Sequence, residues 1–100
     1  MIKNGARLRS QVCDTEVIVV RATDGLADLR AGGVAMVPLD GAREPHGAPM
    51  AGFDGGALLG KRYVDESGAE VLVTKPGAGS LSVGTALLQV KAAKPLPASD

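Results

Sequence analysis

The sequence predicts an all-β fold: a small domain of about six or seven short strands in antiparallel hairpins, with a long Gly/Pro-rich loop over residues 40–57. Three observations carry this. Segments such as "ARLRSQV" and "EVIVVRA" alternate or are rich in β-branched side chains, which suit a pleated, half-buried surface. Turn-forming pairs, Asp24-Gly25 and Pro76-Gly77 among them, punctuate the chain at short intervals. No apolar pattern of helical period is sustained, and fourteen glycines in 100 residues are too many for a helical bundle.

Each element follows in order. In "ARLRSQV", Leu8, Ser10 and Val12 fall on one face and Arg7, Arg9 and Gln11 on the other. Asp14-Thr15 supplies turn chemistry before the strand "EVIVVRA". "ATDGLADL" reads as one helical turn or an irregular loop, and Asp24-Gly25 favours the loop. "VAMVPL" is a short strand that Pro38 places at a sheet edge, because proline has no N–H for an inner ladder.

After the loop, "LLGKRYVD" and "EVLVTK" flank Glu66-Ser67-Gly68-Ala69 as one hairpin. "TKPGAGS" is a turn. A second hairpin then sets Leu81 and Val83 opposite Leu88 and Val90 across Gly84-Thr85-Ala86. The chain thus divides into one β-rich domain over 1–92, with hairpin regions at 8–38 and 58–91, and an extended tail at 93–100 that carries two prolines.

Composition narrows function. Eleven basic residues balance eleven acidic ones, and Phe53 and Tyr63 are the sole aromatics. A nucleic-acid surface needs a basic stripe and stacking rings, so no nucleic-acid partner is expected. No segment approaches the roughly 20 apolar residues of a membrane span, and the opening "MIKNGARLRS" has no leader-like apolar run. The expected location is the cytoplasm, with no membrane partner and Cys13 as a reduced thiol. A core short of aromatics lacks its largest single stabilisers, which makes a homodimer the expected state.

The stretch "SQVCDTEVIVV", a loop, then "LRAGGVAM" resembles the knuckle of desulforedoxin, which also forms the N-terminal module of desulfoferrodoxins, a rubredoxin-like arrangement. Those proteins carry C-x-x-C leading into an apolar strand, then L-x-C-C-G-x-x-M. Here Ser10 and Cys13 fall on the first ligand pair, Ala31 and Gly32 on the second, while Leu29, Gly33 and Met36 match the framework. The resemblance covers residues 8–38, roughly 30 of 100, and three of the four cysteines are absent. It implies a dimeric scaffold in which four thiolates would bind one iron. Neither Ala31 nor Gly32 offers a side-chain donor, so one chain cannot complete that shell. Two Cys13 thiolates from a symmetric pair of subunits, helped by His46 or water, would be the remaining route to a Zn or Fe site.

Other constellations reduce to structure. His46, the sole histidine, lies in "REPHGAP" with no nucleophile in an elbow context, so no catalytic residue is assigned. Cys13, His46, Met36 and Met50 are soft ligands, but a type-1 copper site takes two histidines. "KPGAGS" leads into a strand rather than a helix and so is neither a P-loop nor a dinucleotide fingerprint. Met50 and Phe53 in the loop, and Lys61, Arg62 and Tyr63 after it, are the candidate partner or ligand contacts. The expectation is therefore a non-catalytic accessory or protein-interaction module with a degenerate metal knuckle and no cofactor. The alternative is a metal-binding or electron-transfer-related protein with an intersubunit Zn or Fe site on Cys13.

Overall fold

A computed structural model describes residues 2–39 and 48–91. The fold is all-β, with ten short strands in two antiparallel sheets and a single 3-10 turn, Asp24–Asp28, among the described residues. The strands are β1 (Arg7–Arg9), β2 (Glu16–Arg21), β3 (Leu29–Ala31), β4 (Val34–Ala35), β5 (Val37–Pro38), β6 (Arg62–Val64), β7 (Glu70–Lys75), β8 (Leu81–Val83), β9 (Ala86–Leu87) and β10 (Gln89–Val90). The larger sheet runs β10-β6-β7-β2-β1-β5 and the smaller β4-β3-β8-β9. No described helix is long and apolar enough to cross a membrane.

The count exceeds the six or seven strands expected because β3 forms directly after the 3-10 turn, where no strand was expected, and because two predicted strands each bend from one sheet into the other. In "VAMVPL" the bend is Met36: β4 pairs with β3 in the small sheet, and β5 pairs with β1 in the large one. In "TALLQV" it is Leu88: β9 pairs with β8, and β10 with β6. Each bend residue is tied to the small sheet through its amide, Met36 N–H donating to Leu29 C=O at 3.1 Å and Leu88 N–H to Leu81 C=O at 3.0 Å. Strands that switch sheets make the corners of such a two-layer structure. The second hairpin is corrected accordingly. Leu88 does reach Leu81, but Val90 lies opposite Tyr63 in the other sheet, and the turn is closed over Gly84-Thr85 by the pair Val83 and Ala86.

Alternation decides what is buried. Leu8, Val17, Val19, Val71, Val73 and Tyr63 point inward from the large sheet, and Leu29, Ala31 and Leu81 answer from the small one. Leu26 of the 3-10 turn, fully buried, closes one end. The β2–β7 ladder runs from Glu16 opposite Lys75 to Arg21 opposite Glu70, with register shifts at Glu16/Val17 and at Val19/Arg21. Val20 has no opposite number there and is 40% exposed, as the extra residue of a bulge should be. Pro38 sits on edge strand β5, where its missing N–H costs no ladder bond.

Candidate functional site

Three turns converge where the knuckle resemblance lies: the loop from Ser10 to Thr15 joining β1 and β2, the turn Gly32-Gly33 between β3 and β4, and Gly77 to Ser80 before β8. The first is organised by Ser10, which is fully buried. Its Oγ accepts the amides of Val12 at 3.0 Å and Cys13 at 3.1 Å, while its own N–H donates to Thr15 C=O at 2.9 Å. A serine that takes up the amides of a tight loop does what a backbone turn bond would do.

Cys13 is half-buried, with Sγ 3.2 Å from Thr15 Oγ1. Burial alone pushes its thiol up. Hydrogen bonds from the Ser10 and Thr15 hydroxyls and from the backbone of Thr15 and Gly79 more than offset that, and the thiol lies below its ordinary range.

The second and third turns explain why glycines recur here. Gly32 and Gly33 both have positive φ, +68° and +84°, which L side chains rarely adopt. A Cβ on Gly32 would also stand 2.7 Å from Val12 Cγ2. Gly79 is tighter still: a Cβ there would lie 2.7 Å from Gly32 N and 3.1 Å from Cys13 Sγ. Gly79 is thus packed against both the Ser10–Thr15 loop and the Gly32 turn, and Gly32 N–H donates to Ser80 C=O at 2.9 Å to tie the turns together. A Cβ on Gly77 would land on Thr15 Oγ1.

The described part of the predicted 40–57 loop folds over this junction. Met50 N–H donates to Gly32 C=O at 2.9 Å, Ser80 N–H to Phe53 C=O at 2.8 Å, and Gly55 N–H to Ser80 Oγ at 2.8 Å. Ala57 then pairs with Gly77 as an isolated bridge. Residues 48–57 are therefore a strap bonded to two of the three turns. Residues 40–47, with His46, lie outside the described residues.

The residues present do not fit a tetrahedral thiolate iron site. At the four positions that the resemblance marks stand one thiol, Cys13, one hydroxyl, Ser10, and two residues without side-chain donors, Ala31 and Gly32. The Ser10 oxygen already accepts two amides. Among the described residues there is no group of three or more His, Cys, Asp or Glu able to hold an ion.

The predicted contact residues divide. Met50 is 53% exposed, Phe53 is half-buried, and Lys61 and Arg62 are exposed. Tyr63 is the correction: at 7% exposure it belongs to the core, because β6 alternates and position 63 faces inward. Its hydroxyl accepts Leu58 N–H at 3.1 Å, giving the buried phenol the partner it needs. Leu58 and Leu59 are themselves exposed, at 59% and 62%, as are Leu87 and Val90.

Two features escaped sequence reasoning. The turn at Gly77 and Gly79 was legible only as a turn, yet it forms one wall of the site. Glu70, with its side chain 10% exposed, is held between Lys91 Nζ at 3.0 Å and Arg62 Nη1 at 3.4 Å, and that cluster needs three strands to be adjacent before it exists. No protein-family model matches the chain, and no curated protein or solved structure matches it either.

Proposed function

We propose that this chain is a non-catalytic accessory module that binds another protein, built on a knuckle whose metal-holding role has passed to hydrogen bonds. The observation that supports this best is Ser10. At the position of the first ligand it is buried and spends its oxygen on the Val12 and Cys13 amides, so the loop is organised without an ion. The glycine contacts and the 48–57 strap hold the other turns in the same way. Exposed Met50, beside this junction, and the adjacent pair Leu58 and Leu59 supply apolar surface for a partner.

The test is elemental analysis of protein purified without chelator, with native mass spectrometry and a thermal melt before and after chelator. The reading expects a metal-free chain whose melting temperature does not move. Loss of structure on chelation would overturn it. Half an equivalent of zinc or iron per chain in a homodimer, abolished by Cys13→Ser, would replace it with the intersubunit site.

A further inference from the structure

We propose that Asn4-Gly5 is a deamidation site that the fold keeps silent, and that it reacts only when the segment before β1 unpairs from β2. The pair lies in an exposed turn closed by Ala6 N–H donating to Lys3 C=O at 3.0 Å, with Gly5 at φ +84°. In such a turn the third position requires positive φ, and glycine there leaves the preceding asparagine next to the least hindered amide available.

The chemistry needs only water. The Gly5 backbone nitrogen loses its proton and attacks Asn4 Cγ; an N–Cγ bond forms, the Cγ–Nδ2 bond breaks, and ammonia leaves carrying the proton. Water then opens the cyclic imide. Opening at Cγ gives aspartate, and opening at the main-chain carbonyl gives isoaspartate, with one extra methylene in the backbone.

Both reacting groups are engaged in the folded chain. Gly5 N–H donates to Val19 C=O at 2.7 Å, so the nucleophile's proton is committed to a neighbouring strand. Ala22 N–H donates to Asn4 Oδ1 at 2.6 Å and holds the side chain there, where it is not free to fold back on its own following amide. Val19 N–H returns to Ala6 C=O at 2.8 Å, so the three bonds open together. Once formed, isoaspartate cannot reseat this turn, because its added methylene moves Gly5 N–H out of register with Val19. A new negative charge would also appear on the rim of the cleft of about 610 Å³ that Ile2, Lys3, Asn4, Ala22, Thr23 and Asp24 help to line. A reversible opening is thereby made permanent.

The full chain would be incubated in mildly alkaline buffer, native and in urea, and residue 4 followed by peptide-mapping mass spectrometry. The native chain is expected to deamidate at least about tenfold more slowly than the unfolded one, the factor that follows when the reactive form is open less than a tenth of the time. Ala22→Pro removes the N–H that holds Asn4 and leaves the Asn-Gly pair intact. It is expected to raise the native rate toward the rate in urea, with the urea rate unchanged. Equal native and urea rates in the unaltered chain would overturn the proposal. So would an Ala22→Pro variant that is folded and no faster. If that variant does not fold, the comparison on the unaltered chain decides.

Discussion

At the scale of single residues, the junction of the three turns is governed by what each atom has nowhere else to find. The Val12 and Cys13 amides depend on one hydroxyl. Ser10→Ala should therefore cost about 1–3 kcal/mol, the penalty for leaving amides unsatisfied, as read from urea unfolding. Gly79→Ala should destabilise by a similar amount, about 1–3 kcal/mol for overpacking, because the neighbours at 2.7 and 2.9 Å are backbone atoms of Gly32 and cannot swing aside. For Cys13 the expectation is a thiol whose alkylation by iodoacetamide has its pH midpoint below that of an ordinary cysteine, with the midpoint moving up in Thr15→Val. An ordinary or raised midpoint in the unaltered chain would show that the hydroxyls do not outweigh burial. The serine itself was legible in the sequence only as a strand residue on the face of Leu8 and Val12, and it stands just past the end of β1. Its role was not, because a serine facing inward declares no partner until the loop beyond it has closed.

Among the elements, the ladder of the large sheet carries one charged fastening. Glu70 on β7 meets Arg62 of β6 and Lys91 just after β10, so a single carboxylate joins three consecutive segments of the sheet. The Lys91 hydrogen bond holds its carboxyl below the ordinary carboxylate range, against the opposing effect of burial, with the charges of Lys91 and Arg62 adding to the lowering. A group with a depressed folded pKa contributes stability that is whole above its unfolded value and is lost as pH falls through the folded one. Stability should accordingly decline as pH falls from the ordinary carboxylate value through the lowered one, and Glu70→Gln should flatten that decline while lowering stability at neutral pH. An unchanged acid limb would mean that solvent already screens the two exposed cations. Strand identity was well marked in the sequence for β2 and β7, the runs richest in β-branched residues, and unmarked for β3, whose three residues are too few to show an alternation. The breaks at Met36 and Leu88 were not, because nothing local distinguishes a residue that turns a corner from one that continues a strand.

For the molecule as a whole, the pairings that matter are distant in sequence: Glu16 lies opposite Lys75, and Leu29 opposite Val83. Such topologies must close long loops before contacts repay them, so refolding is expected on the millisecond-to-second scale typical of β sandwiches. Tyr63 is the sole tyrosine and there is no tryptophan, so tyrosine fluorescence in stopped flow reports the burial of one known core position. Refolding in microseconds would mean that the hairpins form independently and the long-range ladder adds little. The all-β class was readable because alternation is a local property. The meeting of Ser10, Gly32 and Gly79 was not, since it depends on which turns the two sheets bring to the same end.

The two corners have a consequence for how anything can hold this molecule. Because β4 continues into β5 and β9 into β10, both margins of the small sheet run on into both margins of the large one. The border strands are two residues long, and one of them contains Pro38. Among the described residues, little backbone is thus presented in the unpaired, extended form that templates an added strand, from an intended partner or from a misfolded neighbour. An alteration that straightened Met36 or Leu88 would do more than loosen the core, because it would lengthen the exposed edge that can template an added strand.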